Sequence, residues 1–138
     1  MLILDTNHLT ALENGGVVAD RLQWRLRQTN LPTGTTIVCV DEKMRGWLAS
    51  IGRARSDADQ VRAYDKFQRS IQQLGRGFIL PYDDAAALRF QELRKLKLGI
   101  GTMDAKIAAI VLVHGGKLLS RNLRDFERVP GLDVEDWI

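Results

Sequence analysis

Acids and amides follow or open apolar runs at four remote places in this 138-residue chain. Asp5 follows Leu2-Ile3-Leu4, with Thr6 and Asn7 directly behind it. Asp41 and Glu42 follow the β-branched run 35–40. Asp104 opens the apolar stretch 103–114, and Asn122 and Asp125 follow the run 117–120. Oxygen ligands gathered at one place would repel, raise one another's pKa and weaken the fold. A hard divalent cation removes that conflict: Mg²⁺ is typically held by one or two carboxylates, with water and phosphate oxygens completing its shell. Such a site activates water and neutralises a phosphodiester in its transition state. Two ions about 4 Å apart would serve both the attacking and the leaving oxygen.

These residues meet only if the elements carrying them share an edge. Residues 2–4 read as a strand, 7–14 as a short helix stopped by Gly15-Gly16, and 17–29 as a second helix with Val18, Leu22 and Leu26 in register. Pro32 and Gly34 mark a turn before a strand at 35–40, and a helix is expected over 41–52. Residues 57–74 place Val61, Tyr64, Phe67, Ile71 and Leu74 on one helical face, suited either to the core or to a groove for a partner helix. A strand at 78–80, a helix at 83–96 with Ala86, Phe90, Leu93 and Leu96 inward, and an all-round apolar helix at 103–114 follow. Strands at 117–120 and 132–134 complete the alternation. Strands separated by helices predict an α/β fold with three layers, a central parallel sheet covered on both faces. Ligands of such sheets lie outside the carboxyl ends of the strands, where the strand order reverses. That is where Asp5, Glu42, Asp104, Asn122 and Asp125 would converge.

Each residue also has a plainer use. Asp5 suits the cap of the helix after it, and Asp41 the cap of the next, leaving Glu42 as the inward group. Glu42 and Asp104 suit the positive end of a helix dipole. Asn122 suits a turn and Asp125 a surface charge. His8 is expected to be carried away from Asp5 by its helix, and His114 to cap a helix C-terminus. Trp24, Trp47 and Trp137 read as packing residues. Gly99-Ile100-Gly101 lacks the lysine and hydroxyl of a phosphate loop.

The bulk numbers frame this. The chain length and a hydrophobic fraction of 45% suit one domain, residues 1–138, with its own core. Cys39 is the one cysteine, which excludes an internal disulfide and suits a buried thiol in a reducing compartment. No apolar stretch reaches the roughly 18 residues of a membrane span, and no basic leader precedes the first one, so a cytoplasmic location is expected. The formal charge of +3 is mild, but it is clustered. Lys43, Arg45, Arg53, Arg55, Arg62, Lys66 and Arg69 face only Asp57, Asp59 and Asp65 over 43–69, and Arg89, Arg94, Lys95 and Lys97 face only Glu92 over 89–97. Basic helices beside an acidic site suit a polyanion bound next to a metal.

The motifs LDTN at 4–7, EKMRG at 42–46, GTMDAKIAA at 101–109 and SRNLRDFERVPGLDVEDW at 120–137 run from one terminus to the other. In order and spacing the chain resembles PIN-domain proteins of the VapC toxin type. That resemblance implies a Mg²⁺- or Mn²⁺-dependent endoribonuclease acting on RNA, held inactive by a cognate VapB-like antitoxin and assembled as a homodimer. By position, Asp5 and Asp104 would hold the metal, with Glu42 as an acidic partner for the ion or its water. At the fourth acidic position stands Asn122, with Asp125 three residues on to supply the charge. Ser120 replaces a commoner threonine, and its hydroxyl would orient a ligand. Two other readings stand beside this one. A PIN-like module would bind RNA or a partner without cutting. An aspartyl-phosphate phosphatase of the HAD type would want a second aspartate where Asn7 stands.

Overall fold

Leu2, Ile3 and Leu4 are each at most 2% exposed, so the first strand has no solvent face. A strand of this kind must lie mid-sheet with cover on both sides. In the computed structural model, which describes residues 1–138, β1 (Leu2–Leu4) is the central strand of five. β2 (Thr33–Thr36) and β3 (Phe78–Leu80) lie to one side, β4 (Lys117–Leu119) and β5 (Asp133–Glu135) to the other. The order is β3-β2-β1-β4-β5 and every neighbouring pair is parallel.

Helices make every crossover. α1 (Thr6–Asn14) and α2 (Gly16–Thr29) join β1 to β2, and α3 (Ile37–Arg53) and α4 (Asp57–Leu74) join β2 to β3. α5 (Asp84–Lys95) and α6 (Thr102–His114) then carry the chain to the far side of β1, and α7 (Leu123–Phe126) precedes β5. The strand order therefore reverses between β1 and β4, which puts a crevice at their carboxyl ends. One cluster of 21 buried residues unites β1, β4 and α6 with parts of α1, α3, α4 and α5. α6 is apolar on nearly every side because Ala105, Ile107, Ala108, Ala109, Ile110 and Val111 are all buried. α5 packs against it through Ala86, Phe90 and Leu93. His114 closes α6, its Nδ1 lying 2.9 Å from the Ile110 carbonyl. No helix is long and apolar enough to cross a membrane.

Four expectations need correction. The strand at 35–40 ends at Thr36. The Thr36 hydroxyl accepts the Cys39 N–H at 3.2 Å and so caps a helix starting at Ile37. Such a cap is worth about 1 kcal/mol, more than the small helical penalty of the β-branched residues behind it. Asp41 is therefore not a cap; it lies in the second turn and pairs with Arg45 at 2.7 Å. Cys39 remains fully buried, now on a helix, and burial pushes its thiol pKa up. On α4 the expected apolar face is split: Leu74 is in the core and Phe67 half-buried, while Val61, Tyr64 and Ile71 are exposed and Ala63 and Ser70 face inward instead. Trp24 is 63% exposed and is not a packing residue.

Lys43 is the fourth correction. It is buried, not a surface base: its Nζ donates to Glu13 at 2.6 Å and to Thr10 at 2.9 Å. The other Glu13 oxygen accepts the Ser70 hydroxyl at 2.7 Å. This network ties α1 to α3 and α4. Part of the remaining basic surface pairs with acids one turn away, as in Arg62–Asp59, Arg69–Asp65 and Arg89–Glu92.

Two stability measurements check this packing. Removing Lys43 strands the Glu13 carboxylate, so Lys43→Met should cost about 3–5 kcal/mol in chemical denaturation. At Gly34, paired in register with Phe78, a Cβ would stand 2.2 Å from the Phe78 carbonyl oxygen. Main chain cannot yield there, so Gly34→Ala should destabilise by about 3 kcal/mol.

Candidate metal centre

Asp5 sits where β1 ends, and its backbone N–H donates to the Leu119 carbonyl at the end of β4 at 3.0 Å. Its extended φ and ψ of −77° and 178° make it the N-cap of α1. Oδ1 accepts the His8 N–H at 3.0 Å and lies 3.2 Å from the His8 ring Nδ1. Oδ2 accepts the Ser120 hydroxyl at 2.5 Å. Asp5 thus serves both as a helix cap and as the acid at the β1/β4 crevice. A carboxylate offers about four lone-pair sites, so these three donors leave one open on Oδ2. Burial at 5% exposure is tolerable only because of those donors.

The other acids arrive from remote elements. Glu42, in the second turn of α3, accepts the Thr6 hydroxyl on Oε2 at 2.5 Å, which leaves Oε1 without a protein partner. Asp104 lies in the first turn of α6, half-buried. Asn122 donates through one amide nitrogen to Asp104 at 3.0 Å and to Asp125 at 3.1 Å. Its backbone N–H is held in turn by Ser120 at 3.0 Å. Asn122 is therefore a bridge, and Asp125 stands behind it. A cleft of about 520 Å³ is lined by Asp5, Thr6, Asn7, Glu42, Asp104 and Asn122, with Arg45 at its rim; Asp125 does not line it. A larger groove of about 690 Å³ between α2, β2, β3 and the end of α4 holds none of these acids.

The cleft is short of positive charge. Glu42, Asp104 and Asp125 form no ion pair with a lysine or arginine, and Arg45 is engaged by Asp41. Burial raises the Asp104 pKa, and the charges of Glu42, Asp125 and Asp5 raise it further against the Asn122 hydrogen bond. No three carboxylate, imidazole or thiol groups gather closely enough to make a complete ligand set by themselves. An ion of the Mg²⁺ type does not need one, since water and substrate phosphate fill most of its shell. The carboxylate oxygens of Asp5, Glu42 and Asp104, the excess negative charge and an open lone pair on Asp5 fit such an ion.

The structure brings Asp5, Glu42 and Asp104 to one cleft, and the Ser120 hydroxyl donates to Asp5. Sequence reasoning missed the position of His8, which is fully buried against Asp5 and not turned aside. The available signal was the cap itself, because the residue three after an N-cap brings its N–H back onto the capping side chain.

Comparison with known proteins gives the lineage. The family model of the PIN domain matches residues 2–132. The chain belongs to the PIN-domain family. Within it, ribonuclease VapC1 of Rickettsia felis is 29% identical over 140 residues, covering 96% of this chain and 93% of the relative. The tRNA(fMet)-specific endonuclease VapC of Salmonella typhimurium is 35% identical over 63 residues, 43% of this chain and 48% of the relative. Among solved structures, VapBC2 of Rickettsia felis bound to a promoter DNA fragment superposes with a TM-score of 0.77 at 20% identity, covering 99% and 98% of the two chains. A toxin–antitoxin complex from Klebsiella pneumoniae gives 0.71 at 24% identity, covering 100% and 98%. This PIN-domain protein is thus related to VapC toxin ribonucleases, and its PIN fold has a five-stranded parallel sheet with seven helices.

If mutual repulsion dominates the metal-free PIN cleft, Asp104→Asn in EDTA should leave stability within about 0.5 kcal/mol of wild type or raise it. Saturating Mg²⁺ should then raise the melting temperature of the wild type and not of the variant. A large loss of melting temperature in the metal-free variant would make Asp104 a structural residue.

Proposed function

We propose that residues 1–138 form one nuclease unit, a Mg²⁺- or Mn²⁺-dependent endoribonuclease acting as the toxin of a VapBC-like toxin–antitoxin pair. The observation that carries this reading is the uncompensated carboxylate cleft at the β1/β4 switch point, built from Asp5, Glu42 and Asp104. Asp5 and Asp104 would hold the metal. A divalent cation there would supply Lewis-acid activation of water and neutralise charge on the phosphodiester.

The chain's own groups do the rest. Ser120 and the α1 N-terminus fix the Asp5 carboxylate. Thr6 holds Glu42 by Oε2, and the free Oε1 accepts the proton of the attacking water. Asn122 orients Asp104, and Asp125 adds negative charge through it. Asn7 and Arg45 stand at the mouth of the cleft, where an RNA backbone would enter. The related VapC1 is named as a ribonuclease, and the superposing structures include VapBC2 of Rickettsia felis and a toxin–antitoxin complex from Klebsiella pneumoniae. These support RNA as substrate and a VapB-like antitoxin as partner; a homodimeric toxin in a cytoplasmic setting completes the proposal. Exposed Leu48, Val61 and Tyr64 on α3 and α4 suit burial by such a partner.

Purified protein, free of antitoxin, incubated with mixed RNA and Mg²⁺ or Mn²⁺ should cleave it. EDTA should abolish the cleavage, and Asp5→Asn should lower it at least about 100-fold. Undiminished cleavage by Asp5→Asn would refute the proposal. Intact metal binding without cleavage of any RNA would favour a silent RNA- or partner-binding module.

A further inference from the structure

We propose that His8 is a positioning residue that clamps the Asp5 carboxylate and makes its orientation depend on the backbone of Trp137. The functional part of this inference rests on the nuclease reading of Asp5. His8 is fully buried and makes two directional contacts. Its Nε2 lies 3.2 Å from the Trp137 backbone nitrogen, which can only donate, so Nε2 carries the lone pair. The ring proton of the neutral imidazole then sits on Nδ1, which faces Asp5 Oδ1 at 3.2 Å. A general base is ruled out by this arrangement, since neither ring nitrogen reaches solvent or the cleft. The ring behaves as a rigid spacer, accepting at one end and donating at the other.

The segment that sets the outer contact is itself tied down. The Glu135 carbonyl accepts the Ser120 N–H at 2.9 Å, and Glu135 pairs in register with Leu119. The Trp137 indole N–H donates to Glu135 Oε2 at 2.6 Å, and the Arg25 guanidinium stacks 4.2 Å from the indole centroid. Asp136 Oδ1 lies 3.6 Å from Nε2 and accepts the Ile138 N–H at 3.0 Å. Asp5 is therefore gripped from two sides that meet at the β4–β5 edge. Ser120 takes Oδ2 directly, and residues 135–138 take Oδ1 through His8. Partners behind a metal-binding side chain typically carry 10- to 100-fold in metal affinity.

Two substitutions separate the ends of the ring. The amide nitrogen of His8→Asn can replace Nδ1 and keep a donor to Asp5. The longer His8→Gln can replace only Nε2, leaving Oδ1 with the backbone N–H alone. Both lose volume, so both should lower the melting temperature. Mn²⁺ affinity, read by the paramagnetic resonance of free Mn²⁺, should stay within about 3-fold of wild type in His8→Asn and fall about 10- to 100-fold in His8→Gln. Trp137→Pro, which deletes the N–H, should weaken Mn²⁺ more than Trp137→Ala, which keeps it. Equal losses in His8→Asn and His8→Gln that track melting temperature would overturn the proposal, as would unchanged affinity in both. In the metal-free wild type, long-range ¹H–¹⁵N spectra should show the neutral Nδ1–H tautomer of His8; the Nε2–H tautomer would overturn the clamp outright. Wild-type protein that binds no Mn²⁺ would overturn the nuclease reading and the positioning role together, while the Nδ1–H signal would still report the clamp itself.

Discussion

The Asp5 carboxylate is the point on which the rest of the molecule turns. A buried carboxylate costs several kcal/mol unless donors surround it. Here the donors come from three directions: the first turn of α1, the hydroxyl after β4 and the imidazole of His8. Satisfying this one group fixes how α1 leaves β1, how β4 lies beside β1 and where the 135–138 segment ends. Fold and candidate site are thus built by the same hydrogen bonds. That explains why Asp5 cannot be sorted as either a cap or a functional acid.

Around that anchor the other acids are held by neutral donors and not by cations. Thr6 holds Glu42 and Asn122 holds Asp104 and Asp125, so each is oriented while its charge stays uncancelled. The raised Asp104 pKa is the cost of this arrangement. A divalent cation would remove that cost, and the same ion would supply the chemistry. Elsewhere the protein treats charge oppositely: buried Lys43 and partly buried Glu13 form a closed pair that braces α1 against α3. That brace keeps Thr6 on one helix within reach of Glu42 on the other.

Much of this was legible in the sequence, and the failures share a cause. Short apolar runs located β1, β3 and β4, and the all-apolar stretch before residue 115 located α6. The apolar period also gave α4 its span. What the period could not give was which part of that face is buried: Leu74 enters the core, while Val61, Tyr64 and Ile71 face solvent and Ala63 and Ser70 make the closer approach. At residues 37–40 a β-branched run outvoted the single threonine that caps α3. Lys43 read as surface because its partners, Thr10 and Glu13, lie 33 and 30 residues away in sequence and meet it only in the fold. His8 was misplaced for a similar reason: its acceptor role depends on Trp137, which lies 129 residues away in sequence and meets it only in the fold.

The central claim is that Asp5 and Asp104 share a divalent cation at the β1/β4 crevice. Anomalous diffraction from crystals soaked in Mn²⁺ tests it most directly. The account predicts a peak inside the cleft, within coordinating distance of both carboxylates, and its loss in Asp5→Asn crystals. Saturating Mn²⁺ that leaves the cleft empty, or a peak held by other residues, would contradict it.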